Sequence, residues 1–231
     1  MSEETKVEAT TEDVKAEAAA EGTSVTIPKK KKKKWPIIVG VVAVVVVAAG
    51  AGFWVWHEQP SFCNAICHTP MDEYVMNYDQ EPNTQGTDKW GNKVSNTNAM
   101  LAVSHKVEGE DCLSCHIPTL GEQITEGMHW VTGDYIYPLE ERSGKDLREA
   151  HDGEGDSFCL NESCHNFTRD DLLKVTADMD RNPHQPQHGK VECTDCHKAH
   201  RASVNTCSGC HTDADIPEGW LEAEDAKKLT A

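Results

Sequence analysis

The stretch Cys112-Leu113-Ser114-Cys115-His116 decides the fold, because its pattern of two cysteines followed directly by a histidine recurs along the chain. All 10 cysteines of the 231-residue chain belong to five such motifs. A disulfide framework would not require the histidines, and zinc sites would not require one after every cysteine pair. In chain order, the motifs consist of Cys63, Cys67 and His68; Cys112, Cys115 and His116; Cys159, Cys164 and His165; Cys193, Cys196 and His197; and Cys207, Cys210 and His211.

These motifs are typical of covalent haem attachment. Two thiols add to the two vinyl groups of one porphyrin, and the adjacent histidine ligates the iron from the same short loop. Motif one has three residues between Cys63 and Cys67, and motif three has four between Cys159 and Cys164. Wider spacings occur among multihaem cytochromes, so we predict five c-type haems. The predicted proximal ligands are His68, His116, His165, His197 and His211.

Histidines outside the motifs are candidates for the second axial ligand of each iron. The chain has 12 histidines, and several of those outside the motifs lie a few residues ahead of one. An isolated exposed histidine is ordinarily a surface residue, but this density of haem motifs favours ligands, and two histidine ligands favour a low reduction potential. Chains of this kind commonly cross-ligate, so proximity does not assign a histidine to a haem. The predicted distal ligands are His57, His105, His151, His184, His188 and His200.

Outside one apolar segment, the chain is too polar for a conventional hydrophobic core. Aromatic residues make up 6% of the chain, and its formal net charge is -17. Because side-chain burial must offset the entropy of folding, the haems themselves have to fill the centre. We predict a mostly irregular and α-helical multihaem cytochrome c domain over residues 57–231, with its clearest helix from Arg169 to about Met179 and almost no sheet. The acidic charge argues against a nucleic-acid partner.

The apolar segment from Trp35 to Trp56 predicts one transmembrane helix. Its roughly 22 residues, at about 1.5 Å each, span the hydrocarbon layer of a bilayer. The lysine run that ends at Lys34 predicts a cytoplasmic N-terminus for a single-pass protein of the cell membrane. Residues 1–34 then form a disordered cytoplasmic tail, and the haem domain lies outside, in the periplasm or the extracellular space. A cleaved signal peptide, with its cleavage site at Ala49-Gly50-Ala51, is the alternative.

The order of these features resembles the NapC/NirT/NrfH family of membrane-anchored multihaem c-type cytochromes, which are quinol dehydrogenases. The resemblance covers roughly Trp35 to His200. It rests on the anchor, on Pro60-Ser61-Phe62-Cys63 just beyond it, on Ser104-His105 before motif two, on Cys164-His165-Asn166-Phe167, and on His184 before motif four. It implies menaquinol as the electron donor and a reductase outside the membrane as the partner.

The family also suggests residues around the first haem. A methionine shortly after the first motif can ligate iron there, and Met71 is the matching residue, although it stands one position further on; packing against the porphyrin edge is the alternative. A basic residue and a carboxylate follow motif two at the quinol pocket, which points to Met128 or His129 and to Asp134. Quinol oxidation releases two protons, so we predict His129 and Asp134 as their acceptors. Alternatively, His129 is a haem ligand.

The C-terminal part resembles a second group of proteins. From Asn182 to Trp220 the chain is similar to the small tetrahaem domain of flavocytochrome c fumarate reductases, which implies that His184, His188 and His200 are all ligands. The fifth haem would extend the electron path away from the membrane.

Three functions remain open at this stage. The first is electron relay from menaquinol to a terminal reductase in anaerobic respiration. The second is a terminal reductase for a nitrite-like substrate, and the third is a passive shuttle fed by another membrane complex. A homo-oligomer or a stable complex is compatible with each.

Overall fold

A computed structural model describes residues 34–66, 68–137, 155–185 and 187–229. The chain divides into two compact units, Met1–Val46 and Val47–Ala231, and the second carries all the motifs. The predicted haem residues Cys67 and His151, and the predicted tail apart from Lys34, lie outside the described residues.

Helix α1 spans Trp35–His57 and matches the predicted anchor to within one residue. It carries no charge between its ends, and its valines are exposed on every face. Such an all-round apolar helix is typical of a membrane span, and at about 1.5 Å per residue it is long enough to cross a bilayer. Among the described residues it is the one helix with these properties, which a signal sequence near an N-terminus also shares.

Two short helices follow α1 directly. Helix α2 spans Pro60–Ile66 and α3 spans His68–Tyr78. Proline suits the first turn of α2, where its missing amide hydrogen would have no partner in the helix. The Phe62 ring packs against the rings of Trp56 and His57, with centroids 5.0 Å and 4.8 Å away. These contacts fix the start of the haem domain against the end of α1.

The rest of the described chain consists of short elements joined by irregular segments, which confirms the predicted fold class. Strand β1 pairs with β2 in antiparallel fashion, and β3 pairs with β4 in parallel. Their bounds are β1 Gly86–Thr87, β2 Lys93–Val94, a 3-10 helix Thr97–Ala99, α4 Leu101–Val107, α5 Cys112–Cys115, α6 Leu120–Thr132, a 3-10 helix Gly155–Phe158, α7 Arg169–Val175, α8 Cys193–Cys196, β3 Val204–Asn205, a 3-10 helix Thr206–Gly209, β4 Leu221–Glu222 and α9 Ala223–Ala226.

Helix α7 begins where the sequence predicts but ends earlier. Thr168 caps its first turn by accepting a hydrogen bond from the Asp171 amide. Beyond Val175 the helix is not continued, because the Asn182 side chain donates to the Leu173 carbonyl at 2.7 Å. The next amide able to reach that carbonyl in a longer helix, that of Ala177, donates to Lys174 instead. The predicted extension to Met179 is therefore wrong.

The hydrophobic core of the described residues is small. Its central members are Val94, Met100, Val103 and Ala202, and each is at most 3% exposed. A core of this size falls well short of what a chain of this length ordinarily buries. That bound haems make up the rest of the interior stays a prediction.

This core joins two segments that are distant in sequence. The segment 198–203 lies against residues 99–102, where the Leu101 amide donates to the Lys198 carbonyl at 2.9 Å and the Ser203 amide donates to the Ala99 carbonyl at 2.9 Å. The buried Ser203 hydroxyl also donates to the Ala99 carbonyl, at 2.7 Å. The docking brings His200 into the first half of the haem domain.

Candidate haem sites

Each regular motif folds into a single helical turn that brings its histidine back to its first cysteine. In motif two, the Asp111 carboxylate caps the turn by accepting from the Ser114 amide at 3.1 Å. One short loop can therefore present both thiols and an imidazole to one porphyrin. The amide of the histidine donates to the carbonyl of the first cysteine in each case: His116 to Cys112 at 2.8 Å, His197 to Cys193 at 2.9 Å and His211 to Cys207 at 2.8 Å.

The irregular motif three closes in the same way despite its longer spacing. The His165 amide donates to the Cys159 carbonyl at 3.2 Å. The Asn161 side chain accepts a hydrogen bond from the Cys164 amide at 3.0 Å. This bond folds back the longer segment between Cys159 and Cys164. Of motif one, the structure describes the half-buried Cys63 side chain on α2 and the backbone of His68 at the start of α3.

Histidine rings from distant parts of the chain face each other in pairs. Two imidazoles that ligate one metal ion from opposite sides have ring centroids about 6 Å apart, because each metal–nitrogen bond is about 2 Å long. The observed separations match this value in three pairs, each of which combines one motif histidine with one predicted distal histidine. The pairs are His116 with His200 at 6.3 Å, His165 with His105 at 5.9 Å, and His211 with His188 at 6.2 Å.

At motif four, His184 is the candidate distal ligand. The pKa of His197 is lowered, mainly by burial and next by the charge of His184, which acts on it more strongly than His165 or His105. His184 thus lies close to His197, and the pair at motif three is near as well. Burial likewise lowers the pKa of His184. Both rings are therefore favoured in the neutral form, which is the form that binds metal.

Three of the predicted distal histidines have their Nδ1 atom held by an acceptor. The Nδ1 of His105 donates to the Leu101 carbonyl at 2.8 Å. The Nδ1 of His184 lies 3.1 Å from the Thr176 hydroxyl, and the Nδ1 of His200 lies 3.1 Å from the Asn77 side-chain oxygen. A proton fixed on Nδ1 leaves the Nε2 lone pair for a metal, which is the usual arrangement of ligand histidines.

Thiols of successive motifs lie near one another. Burial and then the neighbouring Cys63 raise the pKa of the Cys112 thiol to about 11. A hydrogen bond with Cys159 lowers the pKa of the Cys193 thiol to about 7. This proximity places motif one near two, two near three, three near four and four near five. The neighbouring thiols are Cys63 and Cys112, Cys115 and Cys164, Cys159 and Cys193, and Cys196 and Cys207.

The remaining predicted residues lie near motif one or at the C-terminal end of α6. The His57 ring contacts aromatic rings, with its centroid 4.8 Å from that of Phe62. Met71 lies half-buried on α3, within one turn of His68. His129 lies exposed in the last turn of α6, and the Asp134 amide donates to its carbonyl at 2.9 Å. Iron ligation by His57 or Met71 stays a prediction, as does the role of His129 and Asp134 in proton transfer.

Sequence reasoning missed two residues near these sites. Glu126 lies close to Cys63, because its charge contributes to raising the pKa of that thiol, of which burial is the main cause. Glu126 stands three residues before His129, so the two share one face of α6, and this spacing was a usable signal. The second is Asn77, the partner of His200. Nothing local in the sequence marks it.

Comparison with known proteins shows the class of protein to which the chain belongs. The chain is 68% identical over 181 residues to cytochrome c-type protein Cgr1 of Eggerthella lenta, and the match covers 78% of this chain and 84% of that protein. The chain belongs to the c-type cytochromes. The Cytochrome c3 family model matches residues 141–212 of this cytochrome, which contain motifs three to five. No solved structure matches it. Membership of the NapC/NirT/NrfH family stays a prediction.

The residues of this multihaem cytochrome fit c-type haem better than zinc. A zinc site needs about four protein ligands in one place. Each regular motif instead supplies two thiols and one imidazole from a single turn, and at motifs two and five a second imidazole faces the first. Two thiols and two imidazoles are the donor set of a covalently attached haem with two histidine ligands.

Proposed function

We propose that this cytochrome binds five c-type haems and relays electrons from menaquinol, at the surface of the cell membrane, to a reductase outside it. The observation that carries the proposal is the order of the sites, in which each motif lies beside the next from the end of α1 onward. When bound, the haem irons supply reversible one-electron chemistry. The chain itself holds them in sequence and fixes their ligands.

The axial ligands follow from the facing rings at motifs two, three and five, and at motif four from the closeness of His184 to His197. His200 serves the haem of motif two, His105 that of motif three, His184 that of motif four and His188 that of motif five. At motif one, His68 is joined by Met71 or His57. With two protein ligands on every iron, electron relay is favoured over reduction of a small substrate at an open iron.

The anchor explains why electrons enter at motif one. Helix α1 spans the membrane with its N-terminus in the cytoplasm, and motif one begins only a few residues after α1 ends. A quinol that stays in the bilayer therefore meets this motif first. His129 on α6 and Asp134 just beyond its C-terminus accept the protons that quinol oxidation releases, and Glu126, on the same face as His129 and close to Cys63, lies on their path.

The proposal is tested with the full-length holoprotein in liposomes. A menaquinol analogue in the bilayer should reduce the haems, followed by their visible absorbance. In His129→Asn the rate should fall by about tenfold or more, as expected for loss of a proton acceptor, while the oxidised spectrum stays unchanged. Thr125→Ala, on the same helix, is the control and should react at the normal rate.

Two outcomes contradict this function. If dithionite reduces the haems but the quinol analogue does not, the protein is a shuttle that takes electrons from another membrane complex. If His129→Asn loses the spectrum of one low-spin haem, His129 is an iron ligand and not a proton acceptor.

A further inference from the structure

Asn77 is a buried polar residue whose side chain connects the Thr87 and Met100 segments to the His200 ring. It sits near the end of α3, and its side chain is 2% exposed. Its side-chain oxygen is 3.1 Å from Nδ1 of His200. Its side-chain nitrogen donates to the Thr87 carbonyl at 3.1 Å and to the sulfur of Met100 at 3.0 Å. A buried amide held on both sides cannot turn without losing hydrogen bonds.

These contacts fix the orientation of the amide. The Thr87 carbonyl can only accept a hydrogen bond, so it must face the nitrogen of Asn77. The oxygen of Asn77 must then face His200, and it can only accept. His200 therefore carries its proton on Nδ1, and the lone pair of Nε2 is left free.

The rest of the environment holds His200 in that position. Its carbonyl accepts from the Lys89 amide at 3.0 Å, and its ring meets the Tyr74 ring edge to face at a centroid distance of 5.0 Å. The His116 ring lies 6.3 Å away and nearly parallel. The ring is thus held at Nδ1 by Asn77 and has a motif histidine within the distance expected of a second axial ligand.

We propose that Asn77 is a positioning residue for haem two, which fixes His200 as the distal ligand and sets the reduction potential of that haem. The proposal rests on the His116 and His200 ligand pair of the proposed function, but it does not depend on quinol oxidation. Hydrogen bonds to the outer nitrogen of a ligand histidine tune both its orientation and its basicity. Helix α3 therefore carries His68 of motif one at its start and the residue that tunes haem two near its end.

The amide is chemically distinct from a carboxylate at this position. A neutral acceptor leaves the Nδ1 proton on His200. A carboxylate accepts a stronger hydrogen bond from this proton and so makes the imidazole a stronger electron donor to iron. A stronger donor favours the ferric state. Asparagine therefore keeps the potential of haem two higher than aspartate would.

The first test is Asn77→Leu, which removes the acceptor while keeping the branched shape and the number of heavy atoms of the side chain. Haem content should stay at its normal value, since attachment depends on the motif cysteines. The reduced protein should gain carbon monoxide binding at one haem, because ligation by His200 weakens about tenfold or more. The electron paramagnetic resonance signal of one low-spin haem should change.

The second variant, Asn77→Asp, keeps an acceptor and answers the question if the leucine variant fails to fold. One haem should shift to a more negative reduction potential in a redox titration, with no gain in carbon monoxide binding. Gln80→Ala is the matched control, because Gln80 also donates to the Thr87 carbonyl, at 2.6 Å, and lies two residues beyond the end of the same helix. It should loosen the same loop and leave every potential unchanged.

The proposal is overturned if Asn77→Asp shifts no potential, or if Gln80→Ala reproduces the spectral change of Asn77→Leu. Either result would make Asn77 a structural residue of the loop. If the variants show the expected shifts but the quinol analogue fails to reduce the haems, this inference stands and only the electron donor of the proposed function is contradicted.

Discussion

His105 and His129 are both histidines on short helices of the haem domain, yet their surroundings differ. His105 is half-buried on α4, with Nδ1 held by the Leu101 carbonyl and its ring facing His165. His129 stands exposed on α6. At the scale of single residues, the held outer nitrogen and the facing motif histidine favour His105 over His129 as a proposed iron ligand.

A substitution at His105 tests this distinction. In His105→Ala we expect one haem to lose its distal ligand, so that the reduced protein binds about one equivalent of carbon monoxide per chain, in keeping with the open position that the alanine leaves. A carbon monoxide titration followed by absorbance measures this. His129→Ala is the control and should bind none. Equal binding by both variants would contradict the assignment of His105.

At the scale of elements, a glycine cap defines the C-terminal end of α6. Gly133 follows its last turn with φ of 72°, a left-handed conformation that glycine adopts without strain. Its amide donates to the Trp130 carbonyl at 3.2 Å, and the next amide, that of Asp134, donates to His129. The cap therefore holds Asp134 beside the last turn, next to the predicted proton acceptor.

Two glycines of this helix make a matched pair of predictions. Gly133→Ala should destabilise the end of α6 by about 1 kcal/mol, because alanine is strained at positive φ. Gly127 lies in the interior of the helix, and a methyl group added there would contact no other atom. Gly127→Ala should therefore stabilise the helix by up to about 1 kcal/mol. Hydrogen exchange of the α6 amides measures both. Equal protection in the two variants would contradict the cap.

At the scale of the whole molecule, stability depends on contacts that tie the motifs together. The Asp156 carboxylate, near motif three, accepts two hydrogen bonds from Arg169, both at 2.6 Å, and the same guanidinium donates to the Val191 carbonyl ahead of motif four at 2.8 Å. Arg169 lowers the pKa of Asp156, first through hydrogen bonding and then through its charge.

This ion pair predicts a pH dependence. Because the folded pKa of Asp156 lies below its unfolded value of about 4, its contribution is fully present above pH 4 and is lost as the pH falls further. Asp156→Asn should cost about 1 kcal/mol at pH 7, since both side chains keep some solvent contact. The difference in the free energy of unfolding between Asp156→Asn and the unmodified protein should shrink towards pH 3. Urea unfolding at the two pH values measures it.

The exposed pair of Arg181 and Asp213 provides the comparison. Their side chains are 42% and 68% exposed, against 29% and 22% for Arg169 and Asp156. Asp213→Asn should therefore change the urea midpoint much less. A larger effect from Asp213→Asn than from Asp156→Asn would contradict the role given to the Asp156 contact.

The attachment sites and the anchor could be predicted from the sequence because their physics is local. Two thiols and a histidine within one turn are sufficient to define a motif, and the apolar run from Trp35 onward is sufficient to define α1. The start of α7 is local in the same way, since Thr168 caps it. Its end was not predictable, because Asn182 closes it from beyond the helix.

Which histidine faces which motif was decided only by the tertiary structure. His200 follows motif four in the chain but faces His116 of motif two, because the segment 198–203 docks on residues 99–102. His105 precedes motif two but faces His165 of motif three. Covalent attachment and the proximal ligand lie within a few neighbouring residues, whereas the distal ligand depends on packing between distant segments, which sequence spacing does not record.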